Sequence, residues 1–396
     1  MTDHVPDRDE LVGRAAALRE QLWTDADEAD RQRHLTERAF AAVTGAGLMR
    51  LMTPRRLGGY AVEMPTFLDA VTELGRGCCS TAWVTSVLNV GNFVVSLFPH
   101  AVQDEVWADA PDASTALVLG PPQRPLERVD GGVRVSGQWP YASGSLHCDW
   151  VVVKVSIGAS DGEPPETGLA LLPAHEVEVK DTWHVTGMRG TGSGTIVIDD
   201  AFVPDDRILP LMPLLNREGD RIVDTAHRYR NSLTGVFGLS LVAPLIGAAD
   251  AALHYVRQQA PTRHVAASKF ANQTESPTFQ LDLAAATVLL DTAKLHARRI
   301  ADTLEEEADA GGNPDWLTRA RLRMDSTLIA QRCRETIDTL VTAYGTSAFH
   351  EANPLQRIWR DINVGSRHVA FGLGMPEQIY GRTLVGRDPR EVSYLV

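Results

Sequence analysis

The sequence predicts a mainly α protein with a central β domain, and three observations carry that prediction. Apolar residues recur with a helical period at the start of the chain, switch to a period of two between about Leu117 and Ile208, and then return to the helical period. Turn residues recur at short, even intervals only in that middle stretch, which is the mark of antiparallel strands. Beyond it, Ser276-Pro277 and Asn313-Pro314 each set a capping residue before proline at the first helical position. The implied units are an N-terminal helical domain over 1–116, a β domain over 117–212 and a helical bundle over 213–396.

From Asp9 to Trp107 the helical faces can be read in order. Leu35, Ala39 and Val43 share one face before a break at Gly45 and Gly47, and Pro54 with Gly58-Gly59 marks a loop. Met64 to Leu74 forms a second apolar stretch, and Ser80 to Phe98 is apolar nearly all round, as a central buried helix should be. In the middle, Val129-Asp130-Gly131-Gly132-Val133 reads as a hairpin. Trp150 to Ile157, Gly168 to Leu172, Val177 to Val179 and Thr195 to Ile198 read as further strands. Four to seven strands are expected, as a barrel or sandwich, with Gly158 to Thr167 an exposed loop between two of them. After Pro213, Leu281, Ala284, Ala285, Val288, Thr292 and Leu295 line one face of a helix, and Leu317 through Tyr344 continue the pattern in a second, of some 30 residues. Long antiparallel helices with short links make a bundle.

The 396 residues carry 38 basic and 51 acidic side chains, a net charge of −13, with 44% hydrophobic residues. A chain of this length can bury a sizeable core. Its acidity argues against nucleic acid, whose binding draws on clustered Lys and Arg. No apolar run approaches the roughly 18 residues of a membrane span, and Thr2 to Glu10 is acid-rich, unlike a signal peptide. A cytoplasmic protein is expected. Cys78, Cys79, Cys148 and Cys333 show no CxxC spacing and read as buried free thiols.

Nucleotide-hydrolysis, zinc-protease and serine-hydrolase signatures are missing, and no Cys or His pair has zinc spacing. The glycine run from Gly187 to Gly194 leads into a strand, not the helix that a dinucleotide fold requires. Two loops combine aromatics with small hydroxyl residues: Trp139 to His147, containing Tyr141, Ala142 and Ser143, and Trp183 to Ser193. They read either as hairpin turns with buried Trp or as a surface offering a planar heterocycle an apolar face and edge hydrogen bonds. His368, beside Val369, Ala370 and Phe371, is either a satisfied core residue or a placed acid/base group.

Three blocks together resemble the acyl-CoA dehydrogenase superfamily and, within it, the flavin-dependent monooxygenases that take reduced flavin from a separate reductase. They are Gly47 to Gly59 with Cys79-Ser-Thr-Ala-Trp83-Val84; Trp139 to Trp150 with Gly187 to Ser193 and Asp199 to Pro204; and Pro354 to His368 with Tyr380-Gly381-Arg382 and Gly386. The resemblance covers nearly the whole chain. It implies a helical domain, a β-barrel-like domain and a four-helix bundle, assembled as a homotetramer, with reduced FMN or FAD between the β unit and the bundle. Tyr141, Ala142 and Ser143 would face the flavin ring, with Ser143 near N5 and Trp83 close by. Arg263 resembles the family's phosphate-binding arginine, with an ordinary exposed arginine as the alternative, and Gly345-Thr346 resembles a backbone contact from a neighbouring subunit.

Dehydrogenases of this superfamily need a carboxylate, commonly in a Tyr-Glu-Gly-Thr-like motif that is absent here, so oxidation with O2 outranks an acyl-CoA dehydrogenase-like desaturase. The resemblance implies oxygen transfer from a C4a-hydroperoxyflavin to a small-molecule, natural-product-like substrate, with His368 and Ser143 as catalytic groups. A scaffold that binds no flavin is a third possibility. Phenol-hydroxylating relatives usually place a histidine about eight residues after the Trp83 equivalent, where this chain has Gly91-Asn92. That departure shifts the expectation from simple phenols toward N-, S- or activated-carbon oxidation.

Overall fold

The structure, a computed structural model, describes residues 5–120, 126–157, 166–216, 227–311, 314–372 and 374–396. Six helices come first: α1 (Arg8–Ala17), α2 (Arg19–Gln32), α3 (Glu37–Gly45), α4 (Met64–Gly77), α5 (Cys79–Val95) and α6 (His100–Trp107). Side chains of Asp7 and Thr36 accept from the backbone N–H groups of Glu10 and Ala39, capping α1 and α3. In α5 every residue but Val87 is buried, as expected of a helix that is apolar all round.

Among the described residues eight strands follow: β1 (Thr115–Val118), β2 (Glu127–Val129), β3 (Gly132–Trp139), β4 (Trp150–Ile157), β5 (Glu166–Pro173), β6 (Glu178–Lys180), β7 (Thr195–Pro204) and β8 (Ile208–Pro210). They form two four-stranded sheets, ordered β1-β4-β5-β8 and β2-β3-β7-β6. Among the described residues only β1 and β4 pair in parallel. The Asp130-Gly131 hairpin forms as expected, with Val129 opposite Gly132 and Gly131 at φ +72°. The expectation of four to seven strands falls short because β1 and β8 are edge strands of four and three residues, too short to display alternation. Most of the loop from Gly158 to Thr167 lies outside the described residues, and Glu166 and Thr167 already belong to β5.

The remaining helices are α7 (Leu211–Asn216), α8 (Leu233–Gln259), α9 (Pro277–Ala310), α10 (Trp316–Tyr344), α11 (Pro354–Gly365) and α12 (Met375–Leu384). Contrary to the expectation of no sufficiently apolar run, α8 is long and apolar enough to cross a membrane, but 89% of its most apolar window is buried inside the protein. It is the core helix that α4, α5, α9 and α10 surround. Ser276 caps α9 as expected; α10 is capped by Asp315, which accepts from Thr318 N–H at 2.7 Å, while Asn313 lies outside the described residues. The stripe read as the bundle seam of α9 points outward: Leu281, Val288 and Leu295 are 72%, 64% and 72% exposed. A second stripe, Phe279, Ala286, Leu290, Ala293, Ala297 and Ile300, packs inward instead. Cys78, Cys79 and Cys333 are buried free thiols, and Cys148 is half-buried.

Candidate active site

The two hydroxyl-rich loops of the β unit lie against each other. Ala142 N–H donates to Gly194 O at 3.0 Å, and Gly144 N–H donates to Thr191 O at 3.4 Å. Close approach to the helical domain demands glycine at Gly144, where φ is +78° and a Cβ would sit 2.9 Å from Leu88 of α5. Tyr141 adopts φ +64° and leaves its ring 72% exposed, edge-on to Trp183 at 6.0 Å. A non-glycine residue in the left-handed region must be held by its surroundings. Ala142 is fully buried behind it.

Within this junction a chain of hydroxyls runs inward. Trp83 Nε1 donates to Ser143 Oγ at 3.3 Å, Ser143 Oγ lies 2.7 Å from Ser193 Oγ, and Ser193 Oγ lies 2.6 Å from Thr191 Oγ1. Thr191 Oγ1 donates to Met188 O at 2.8 Å, a carbonyl that also accepts from Trp183 Nε1 at 2.9 Å. Ser193 and Thr191 are buried, and Ser143 is half-buried. Neither Ser193 nor Thr191 stands out in the sequence as a site residue, because a hydroxyl in a glycine-rich run is first read as turn chemistry.

Trp83 also meets the opposite wall, its ring 5.9 Å from that of His368 in an edge-on arrangement. One indole therefore joins the two groups singled out as catalytic. His368 follows α11 in a short helical turn, and its Nδ1 accepts from Ala370 N–H at 3.2 Å. An accepting Nδ1 places the proton of the neutral ring on Nε2. His368 is exposed to water on one side, and desolvation by the protein packed around its imidazole lowers it to about 4. His368 is thus a neutral Nε2–H donor over the physiological range, and not a fully buried core residue.

Asp361 of α11 fixes the two walls together. Its carboxylate is buried, accepts from Met188 N–H at 2.5 Å, and is pushed up to about 6 by burial, against the opposing pull of that N–H and of Arg357. The loop touches α11 so closely that a Cβ on Gly187 would lie 2.1 Å from Arg360 O. Arg360 itself bridges to Asp30 of α2 at 3.0 Å.

Arg263 and Gly345-Thr346 form a separate cluster. Arg263 Nη2 donates to Tyr344 O at 2.8 Å and to Ser347 Oγ at 2.7 Å, Nε donates to Gln273 Oε1 at 3.2 Å, and the guanidinium stacks 3.5 Å from the Tyr344 ring centroid. It is half-buried and pinned, which rules out the alternative of an ordinary exposed arginine; among the described residues only Nη1 makes no hydrogen bond. Gly345 (φ +85°) and Thr346 are exposed. Trp83 and Leu245 both abut Gly365, and the α8 segment from Leu245 to Gln259 spans roughly 20 Å. Within one chain, therefore, this cluster is not brought to Ser143.

Gly91-Asn92 has a structural job. Asn92 is fully buried, and its amide donates to Met49 O, Thr53 Oγ1 and Ala113 O at 3.3, 3.1 and 3.2 Å. A Cβ on Gly91 would lie 1.8 Å from Thr115 O. Neither position has room for a substrate-facing base.

The donor set fits a flavin: an indole, an exposed tyrosine and a small alanine flank a hydroxyl with one lone pair unused among the described residues. Residues 10–108 match the family described as acyl-CoA dehydrogenase, N-terminal domain, and residues 239–372 match acyl-CoA dehydrogenase, C-terminal domain. The FADH(2)-dependent resorcinol hydroxylase, oxygenase component, of Rhizobium sp. (strain MTP-10005) is 30% identical over 96% of this chain and 95% of its own. The flavin-dependent monooxygenase oxygenase subunit HsaA of Rhodococcus jostii (strain RHA1) is 30% identical over 93% and 95%. Among solved structures, XiaF from Streptomyces sp., in complex with FADH2 and glycerol, superposes with a TM-score of 0.91 at 34% identity, covering 96% of each chain.

Proposed function

Because the chain belongs to the acyl-CoA dehydrogenase superfamily, in its branch of two-component flavin-dependent monooxygenases, we propose that the junction of β unit and bundle is where it oxygenates a small molecule. It is the oxygenase component, supplied with reduced FMN or FAD by a separate flavin reductase, and acts in the cytoplasm on a natural-product-like substrate by hydroxylation or by N- or S-oxidation. Bound reduced flavin supplies the electrons that activate O2.

The observation that carries this reading is the convergence of Ser143 and His368 on Trp83, at 3.3 Å and 5.9 Å. Ser143 holds the ring edge, while Tyr141 and Trp83 flank it and limit water; Ala142, expected to face the ring, is fully buried and backs the site instead. His368 donates its Nε2–H to an oxygen atom on the opposite side without itself becoming charged. A desaturase would need a carboxylate to take a proton from its substrate. Asp361, the carboxylate of α11 that ties this junction together, is buried and committed to Met188 N–H.

The cluster of Arg263, Gly345 and Thr346 serves the flavin of another copy: its exposed turn reaches a neighbour's site, and Arg263 Nη1 meets a phosphate there. The outward stripe of Leu281, Val288 and Leu295 supports such self-association, in a homotetramer, because exposed apolar residues aligned on one helix face favour a partner.

Protein mixed with reduced flavin and then with oxygenated buffer tests the function. A sheltering cleft delays release of hydrogen peroxide relative to free reduced flavin, and 18O2 labels the product once a substrate is present. Peroxide release as fast as from free flavin overturns the reading, and so does oxidation of an acyl-CoA by an electron acceptor without O2.

A further inference from the structure

Resting on the reading that Ser143 faces flavin N5, we propose that the buried hydroxyls of Ser193 and Thr191 fix Ser143 as a hydrogen-bond acceptor, so that the site selects reduced over oxidised flavin. The argument follows the hydrogens. The Met188 carbonyl can only accept, so Thr191 must direct its one hydroxyl hydrogen to it across 2.8 Å. The 2.6 Å contact between Thr191 and Ser193 then needs the hydrogen of Ser193, and the 2.7 Å contact between Ser193 and Ser143 needs the hydrogen of Ser143. Trp83 Nε1, a donor with no acceptor capacity, occupies one lone pair of Ser143. What Ser143 has left for a ligand is a lone pair.

Reversing the chain would leave Thr191 Oγ1 and Met188 O 2.8 Å apart with no hydrogen between them, which is repulsive. Met188 is itself fixed: its N–H, in the preceding peptide unit, is held by Asp361, and its oxygen also accepts from Trp183 Nε1 and from Thr191 N–H. Reduced flavin carries a hydrogen on N5 and meets the lone pair of Ser143. Oxidised flavin presents a lone pair at N5 and meets another. Ser193 and Thr191 are positioning residues: buried at 4% and 2% exposure, they act through Ser143.

The test is to titrate oxidised flavin and, without oxygen, photoreduced flavin into the full-length protein and its variants, and to compare the two dissociation constants. In Thr191→Val and Ser193→Ala the hydroxyl of Ser143 is free to turn outward. The ratio of oxidised to reduced dissociation constants should then shrink about three- to tenfold, mainly through tighter binding of oxidised flavin. Thr191→Ser keeps the polarity and should restore the wild-type ratio. A ratio unchanged within about twofold in both Thr191→Val and Ser193→Ala, while Ser143→Ala weakens reduced flavin, overturns the relay and leaves Ser143 at N5. If Ser143→Ala also changes neither constant, the placement of Ser143 itself falls. Unfolding temperatures of all four variants identify any that fail to fold, and the near-isosteric Thr191→Val carries the test if Ser193→Ala does.

Discussion

On the β side of Trp83, Ser143, Ser193 and Thr191 direct their hydroxyl hydrogens in one file to the Met188 carbonyl, while on the helical side the His368 ring has Nδ1 bonded and no partner at Nε2 among the described residues. The inner part of the β wall is almost fully buried; the helical wall exposes His368 and leaves Val369 70% exposed. Both walls touch Trp83. The difference assigns them different tasks. A wall whose donors and acceptors are fixed before a ligand arrives discriminates between states of one ligand, with no reorganisation on binding. A wall with an accessible donor on a short turn can meet substrates of varied shape.

The comparison breaks most severely at the seam between the walls. Gly187→Ala would force a Cβ to within 2.1 Å of Arg360 O, a backbone atom that cannot swing aside. We expect a loss of about 3 kcal/mol in urea unfolding, at the upper end for overpacking. Stability within 1 kcal/mol of wild type, on the order of the error for such substitutions, would mean that the β loop and α11 are not rigidly docked.

Next in size is the helical wall alone. His368→Ala should lower substrate oxygenation about 100-fold, as loss of a positioned proton donor does, and divert O2 to hydrogen peroxide. The reduced-flavin dissociation constant should stay near wild type, since the β wall is intact. A parallel loss of flavin affinity would erase the division of labour between the walls.

Much of this architecture can be read from the chain, and what cannot is specific. Strand β4 was expected over Trp150 to Ile157, where it lies, and the Ser276-Pro277 start of α9 is where the capping rule puts it. The two loops, too, are recognisable by composition. The polarity of the hydroxyl chain is not, because it depends on which neighbour of Thr191 is a carbonyl. Nor is the tie of Arg263 to Tyr344 and Ser347, more than 80 positions away in sequence. Helix α9 carries two apolar stripes, and periodicity alone does not say which one its own chain covers. His147 shows the same limit: it shares a loop with Ser143 and is also lowered to about 4 by burial, yet it stacks 4.9 Å from the half-buried Phe40 of α3. Sequence distance from Ser143 gives His147 the better claim to the site, and the fold gives it to His368.

The smallest effects are in pH, and two groups of the helical wall differ in sign. Asp361 is raised to about 6, so the native state holds its proton more tightly than the unfolded chain, and this contribution to stability is lost as pH rises from about 4 through 6. Asp361→Asn retains an oxygen for Met188 N–H and lacks the titration. Relative to wild type, the variant should therefore gain about 1 kcal/mol in unfolding free energy between pH 5 and 7. His368 is lowered to about 4, so its contribution is present above the ordinary histidine value and is lost as pH falls from about 6.5 toward 4; its exposure to water keeps that term small. The ring is then neutral from pH 5.5 to 8, and oxygenation by the wild type should show no inflection there that His368→Asn removes. Such an inflection would make the imidazolium the working form, and the lone Nε2–H would have to be replaced by a charged acid whose Nδ1 no longer accepts from Ala370.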